Sequence, residues 1–331
     1  MKAVHSAGES AGSEPVLGDE YNAAVAVTPA VARYCSCSDW VLPAHRHLCG
    51  ERRLHVRREG DSWLALAEGP LMQVMDTLQP LDALWCFSSS LIGPDARASV
   101  DLLEDFLEDK TPPPQMALLG GIPWDSDLHL YLRRGYGGRW RVHALPGTDC
   151  LQASLEGGAD GFLSRRSGKF RAGLRRSVRL ANEHDVSFEL VRDAPDPAAL
   201  FKRLLATEQS SWKWQAGESI FQTDNTRAFY EELIARSCAS GRLRVAFARR
   251  EGVDIGYAFG AALGGVFRGL QMSYHREHGD LAPGNLCQWE LIRHCAEEGL
   301  ETYDLGMDID YKARWAEHKL KLITLLMVRA Y

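Results

Sequence analysis

The chain has 331 residues, 45% of them hydrophobic and 25% charged, with 30 glycines and 14 prolines, a balance that excludes a fibrous or globally disordered chain. Its net charge of −6, from 38 basic and 44 acidic residues, argues against nonspecific nucleic-acid binding by the whole molecule, because neutralising phosphates needs a basic surface. No apolar run approaches the ~20 residues that span a bilayer, and residues 1–20 are acidic where a secretory signal is basic, so the expectation is a cytoplasmic protein.

Residues 1–30 are rich in Ala, Gly, Ser and Glu without a sustained period, and the expectation for them is a flexible tail. A first unit, residues 31–150, follows. Asp39 is placed to cap a short helix through Leu48, residues 52–58 and 62–68 read as strands about a Glu-Gly-Asp turn, and residues 97–109 carry helical spacing in Val100, Leu103, Phe106 and Leu107. Pro112, Pro113 and Pro114 end that helix, and residues 115–119 and 140–145 read as further strands.

A second unit, residues 151–331, is more regular. Residues 163–182 read as one helix with Phe170, Leu174 and Val178 on its apolar face and Arg171, Arg175, Arg176 and Arg179 among its basic residues. That basic face is either a solvated surface or a dock for an anionic partner such as a nucleotide phosphate, an acyl-carrier protein or tRNA. Helices over 197–211 and 226–240 lead into strands 243–249, 255–263 and 266–274, joined by tight turns. Pro283-Gly284-Asn285 opens an amphipathic helix that Gly299 ends, and strands at 301–305 and 322–329 close the order.

This order resembles the GNAT acyltransferase superfamily, and within it the CelD-like (BcsL-like) branch related to the FemAB-type transferases. The residues that carry the likeness are Arg175-Arg176, Glu208 to Lys213, Gly241 to Val245, Gly252 to Gly256, Tyr274-His275, Pro283 to Asn285, Gly299, Tyr303 to Gly306 and Asp310 to Trp315. The resemblance implies an α/β (α+β) chain of two tandem GNAT-like units, each a mostly antiparallel mixed sheet flanked by helices, with the first unit degenerate. The Gly-rich pyrophosphate loop of the wider superfamily is replaced here by residues 276–285, which moves the donor contact to Pro283, Gly284, Asn285 and Leu286. The resemblance also implies backbone N–H groups near Met272 and Ser273 that polarise a thioester carbonyl where two strands diverge.

Direct transfer of an acyl group to an amine needs alignment, an unprotonated amine, a donor at the carbonyl and a proton for the leaving thiolate. Glu208 and His275 are the candidate bases and Tyr274 and Tyr311 the candidate acids, with Asp304 and Asp308 placed to hold the amine. Trp212, Lys213, Lys312 and Trp315 are candidate walls of the acceptor pocket. Acyl-CoA or an acyl-carrier protein is the expected co-substrate, with no permanently bound cofactor, and the acceptor is an amine on an envelope polysaccharide precursor or a specialised metabolite. Two other readings are an aminoacyl-tRNA-dependent transferase of FemAB type and a catalytically silent module that binds a carrier protein. Cys35, Cys37, His45, His47 and Cys49 do not follow a standard zinc spacing, so no metal site is expected.

Overall fold

A computed structural model describes residues 16–71, 75–134 and 138–330. The first half contains helices α1 (Asp19–Val27), α2 (Arg33–Ser36) and α3 (Ser38–Leu48), strands β1 (Arg53–Glu59), β2 (Ser62–Leu71), β3 (Met75–Gln79) and β4 (Leu91–Ile92), then α4 (Ala96–Asp109), β5 (Met116–Pro123), α5 (Asp127–Arg134) and β6 (Trp140–Leu145). The second half runs β7 (Asp149–Ser154), α6 (Gly158–Ser164), α7 (Gly168–Glu183), β8 (Ser187–Val191), α8 (Pro197–Gln209), α9 (Trp212–Ala216), α10 (Asp224–Ala239), β9 (Leu243–Arg250), β10 (Val253–Leu263) and β11 (Val266–Tyr274). It closes with α11 (Pro283–Glu297), β12 (Thr302–Met307), α12 (Asp310–Ala313) and β13 (His318–Arg329).

The strands form one mixed, mostly antiparallel sheet in the order β1-β2-β3-β5-β13-β7-β12-β11-β10-β9-β8, flanked by helices. The parallel pairs among the described residues are β3 with β5 and β11 with β12. Strand β13 is the seam. Its first residues, His318 to Lys321, pair with β7 in the second half, and Leu322 to Val328 pair with β5 in the first.

Three sequence expectations are corrected. Residues 19–27 are a helix rather than part of a flexible tail, because Tyr21 and Val25, four residues apart, are both fully buried. Tyr21 packs edge-on against Trp63 at 5.6 Å and donates its hydroxyl to Ser36 O at 2.8 Å, partners too distant in sequence for a local window to see. Residues 1–15 lie outside the described residues. The basic helix is broken at residues 165–167: Arg166 is drawn in by Glu317, and Ser167 starts α7 afresh by accepting from Phe170 N at 3.2 Å.

The third correction concerns α2 and α3, which fall within the expected first unit but pack into the core of the second. Trp40 lies 5.2 Å from Phe229, Tyr34 shares a 2.6 Å hydroxyl contact with Ser237, and Arg242 donates to Asp39 at 2.7 Å. Asp39 is therefore an ion-pair partner and not a helix cap; Cys37 occupies the N-cap position. Among the described residues no helix is long and apolar enough to cross a membrane, and no group of three or more His, Cys, Asp or Glu side chains could hold a metal ion.

Candidate active site

Two irregular strands create a fork in the second half. Against β10, Phe259 faces Gln271 but Gly260 faces Gly269, so Leu270 is an extra residue in β11. Against β7, Asp304 faces Gln152 but Gly306 faces Leu151, so Leu305 is an extra residue in β12. Each bulge bends its strand and sharpens its twist. The parallel pairing of β11 with β12 accordingly stops at Arg268 opposite Asp304, and the strands part beyond that point. Glycine is required at the bend: a Cβ on Gly260 would lie 2.0 Å from Arg268 O, and Gly306 has φ +79°.

The fork holds a narrow cavity of about 30 Å³, lined on the β11 side by Gly269 to Met272, on the β12 side by Tyr303 and Leu305, above by Gln288 of α11 and at its mouth by Tyr311 and Lys312. The charge at the point where the two strands part is neutralised. Arg268, 5% exposed, donates to Asp304 at 2.9 Å and to Cys150 Sγ at 3.4 Å, with its guanidinium over the Phe87 ring at 4.8 Å. Asp304 also accepts from Gly306 N at 2.7 Å, which fixes the bend of β12.

Three polar groups at this fork make no ion pair among the described residues. Gln288 is 6% exposed and its amide nitrogen has no protein hydrogen-bond partner, so a buried amide donor stands in the cavity wall. Lys312 is pushed down to about 8 by burial, with the Arg268 charge adding to the effect. Lys213 is also lowered by burial, and its ammonium donates to Met272 O at 2.7 Å, tying α9 to the splayed end of β11.

A larger cavity of about 520 Å³ lies one helical step away along α11, from Gln288 to Asn285, and one step along the α12 turn, from Lys312 to Trp315. Phe170, Gly173, Leu174 and Ser177 of α7 form its opposite wall, and Lys169 and Arg314 stand at its rim. Trp315 is 2% exposed, packs edge-on against Phe170 at 4.8 Å, and leaves its indole N–H without a partner.

The structure brings together Met272, Lys213, Tyr311 and Lys312 at the fork, and Asn285 and Trp315 at the larger cavity. Pro283 and Gly284 pack the start of α11 onto the sheet: Cβ atoms added to Gly256 and Gly284 would lie 2.8 Å from Pro283 and 3.2 Å from Met272. Leu286 and Ser273 are buried, and Trp212 is 43% exposed.

Other candidates are engaged elsewhere. Glu208, 2% exposed, accepts from Ser219 Oγ at 2.7 Å and from Tyr257 at 2.8 Å, so each of its oxygens takes a hydrogen bond that ties these elements together. His275 caps the following turn by accepting from Glu277 N at 3.3 Å. Asp304 is bound by Arg268, and Asp308 lies outside the cavities in an ion pair with Lys319. Tyr274 ends β11 opposite Gly256, beside Gly284 and Gly279. Gln288 and Arg268 escape a sequence reading, although each is a polar residue at an inward position of an otherwise apolar stripe, a signal that was available.

Residues 168–314 match the family model described as the acetyltransferase (GNAT) domain. A conserved protein of unknown function from Bacteroides thetaiotaomicron superposes with a TM-score of 0.65 at 14% identity, covering 96% of this chain and 99% of that one. FemX superposes at 0.70 with 13% identity, covering 94% and 95%, and L-PGS from Bacillus licheniformis at 0.55 with 14% identity, covering 86% of each chain. At these identities the likeness is one of fold, and it extends over both halves of the chain. No curated protein matches the sequence.

Proposed function

We propose that the chain is an N-acyltransferase that passes an acyl group from a thioester donor to an amine by direct attack in the β11/β12 fork, in the CelD-like branch that its motif order resembles. The observation that carries this reading is the fork itself, a slot between two bulged strands lined by a buried amide donor and by an amine with a depressed pKa. The GNAT match over residues 168–314 supports it by spanning both arms of that fork.

The chemistry follows from the lining. The donor's thioester carbonyl sits against the Gln288 amide nitrogen, which stabilises negative charge growing on the oxygen as the acceptor nitrogen attacks. Lys312, near 8, is partly neutral just above neutral pH and takes the proton released by the nitrogen as the C–N bond forms. The C–S bond then breaks, and the thiolate leaves with that proton, giving an amide and a thiol. The Arg268 charge is cancelled by Asp304, so the proton balance rests on Lys312.

Transfer therefore rises with pH through about 8, as Lys312 becomes neutral. Thermal-shift and native mass spectrometry with CoA, acetyl-CoA and an acyl-carrier protein test the donor site. Stabilisation by at least one thioester is the expected result, and stabilisation by none of them, with binding of aminoacyl-tRNA instead, would overturn the reading.

A further inference from the structure

The larger cavity and the outer face of α7 form one surface. Lys169, Gly173 and Arg176 follow each other at steps of four and three residues, so they run along one edge of α7, and Lys169 and Gly173 line the cavity. Arg175, Arg176 and Arg179 are exposed, and Lys169, Arg175, Arg176 and Arg314 make no ion pair among the described residues. Arg179 alone has a carboxylate nearby, Glu183 at 3.4 Å, and both are solvated. Arg171 belongs to a different task, donating to the carbonyls of Leu163 and Arg166 across the break before α7.

Two properties decide what this surface takes. From Lys169 to Arg179 the charges extend over roughly 15 Å of helix, a spread suited to a macromolecular face and not to the compact phosphates of a free nucleotide. The cavity at its root is walled by Phe170, Leu174 and Trp315, mostly apolar and suited to an aliphatic arm, and its Asn285 lies one helical step along α11 from Gln288 of the fork. A nucleic acid would present phosphates to the basic face but brings no long aliphatic arm to match this apolar cavity.

We propose that α7 docks an acidic carrier protein and that the cavity between α7 and α11 receives its phosphopantetheine arm, delivering the thioester to the fork. This rests on the acyltransfer reading above and names its donor. Arg175, Arg176 and Arg179 meet carboxylates on the carrier, Lys169 and Arg314 meet the phosphodiester, and the Asn285 amide and Trp315 indole N–H lie along the arm.

The test uses the full chain with a bacterial acyl-carrier protein in its apo, holo and octanoyl forms, followed by fluorescence anisotropy, beside a thermal-shift measurement with acetyl-CoA. Wild type binds the holo and octanoyl forms more tightly than the apo form, and binding weakens as salt rises. The double variant Arg175→Glu/Arg176→Glu binds all three forms at least tenfold more weakly and keeps its acetyl-CoA shift. Gly173→Leu retains apo binding but loses the holo preference; a Cβ at Gly173 meets no atom within 4 Å, and leucine favours the helix, so this variant folds. Absence of carrier binding with the acetyl-CoA shift intact overturns the carrier proposal alone. Carrier binding unchanged in the double variant also overturns it. Failure of every thioester to bind overturns the underlying reading as well.

Discussion

The two halves of the sheet each contain a parallel pair that parts, and they treat the gap differently. In the second half, β11 and β12 separate after Arg268 and Asp304 and leave a cavity. In the first half, β3 and β5 pair at Leu78 with Ala117, and the chain itself fills the space beyond. Cys86 O accepts from Gly121 N at 2.8 Å, and a Cβ on Gly120 or Gly121 would lie 2.8 Å from Cys86 or 2.4 Å from Phe87 O. Asp82 locks this plug, accepting from Trp40 Nε1, Phe87 N and Ser88 N at 3.1 Å each and from the Ser88 hydroxyl. Burial raises the Asp82 carboxyl to about 6 in spite of these donors. Similar backbone geometry thus yields a cavity in one half and a sealed core in the other, and what decides is whether a loop occupies the gap.

The comparison can be broken or sharpened at four positions. The largest effect is expected at the plug: Asp82→Ala strands three buried N–H donors and lowers stability by about 3–5 kcal/mol in urea denaturation. A loss below about 1 kcal/mol would mean that the plug is not held by this carboxylate. At the fork, Lys312→Met lowers acyl transfer about 100-fold while making the protein more stable by about 2–3 kcal/mol at pH 7. The sign follows from the folded pKa near 8 lying below that of the unfolded chain: the cost of the buried ammonium is full below pH 8 and fades as pH rises toward about 10.5. Urea denaturation at both ends of that window checks it, and a variant that loses stability would show Lys312 to be a structural cation.

Gln288→Leu keeps the shape of the wall and removes its amide donor, so transfer falls about 10–100-fold with stability unchanged or slightly raised. Single-turnover kinetics separate this loss from weaker donor binding. His275→Ala marks the small end of the scale. Because His275 only caps a turn, transfer stays within about threefold and stability within ~1 kcal/mol, and a large loss of transfer would restore it as a base.

Much of the second half is legible in sequence because its elements are long and their patterns local: β9, β10, β11 and α11 all lie within a few residues of where periodicity, glycine turns and Pro283 put them. The short strands β7 and β8 are not, since each pairs with a strand far along the chain. Candidate site residues divide the same way. Lys312 and Met272 meet at the fork because they flank the diverging strands, whereas Glu208 is turned to two hydroxyls, and a carboxylate beside tryptophan reads alike in sequence whether it faces a cleft or two hydroxyls. Gln288 is missed because a single polar side chain on an apolar helix face acquires meaning only when no partner meets it.

The seam strand β13 and helices α2 and α3 have a joint consequence for how the chain is made. The N-terminal helices complete the core of the second half, and the last strand completes the sheet of the first, pairing Leu325 with Leu119 across roughly two hundred residues. Each half lends a piece to the other, like two hooks closed on one another. During synthesis neither can reach its final form until β13 has emerged, and a cut near residue 147 is expected to give two fragments that need each other to complete their sheet and core.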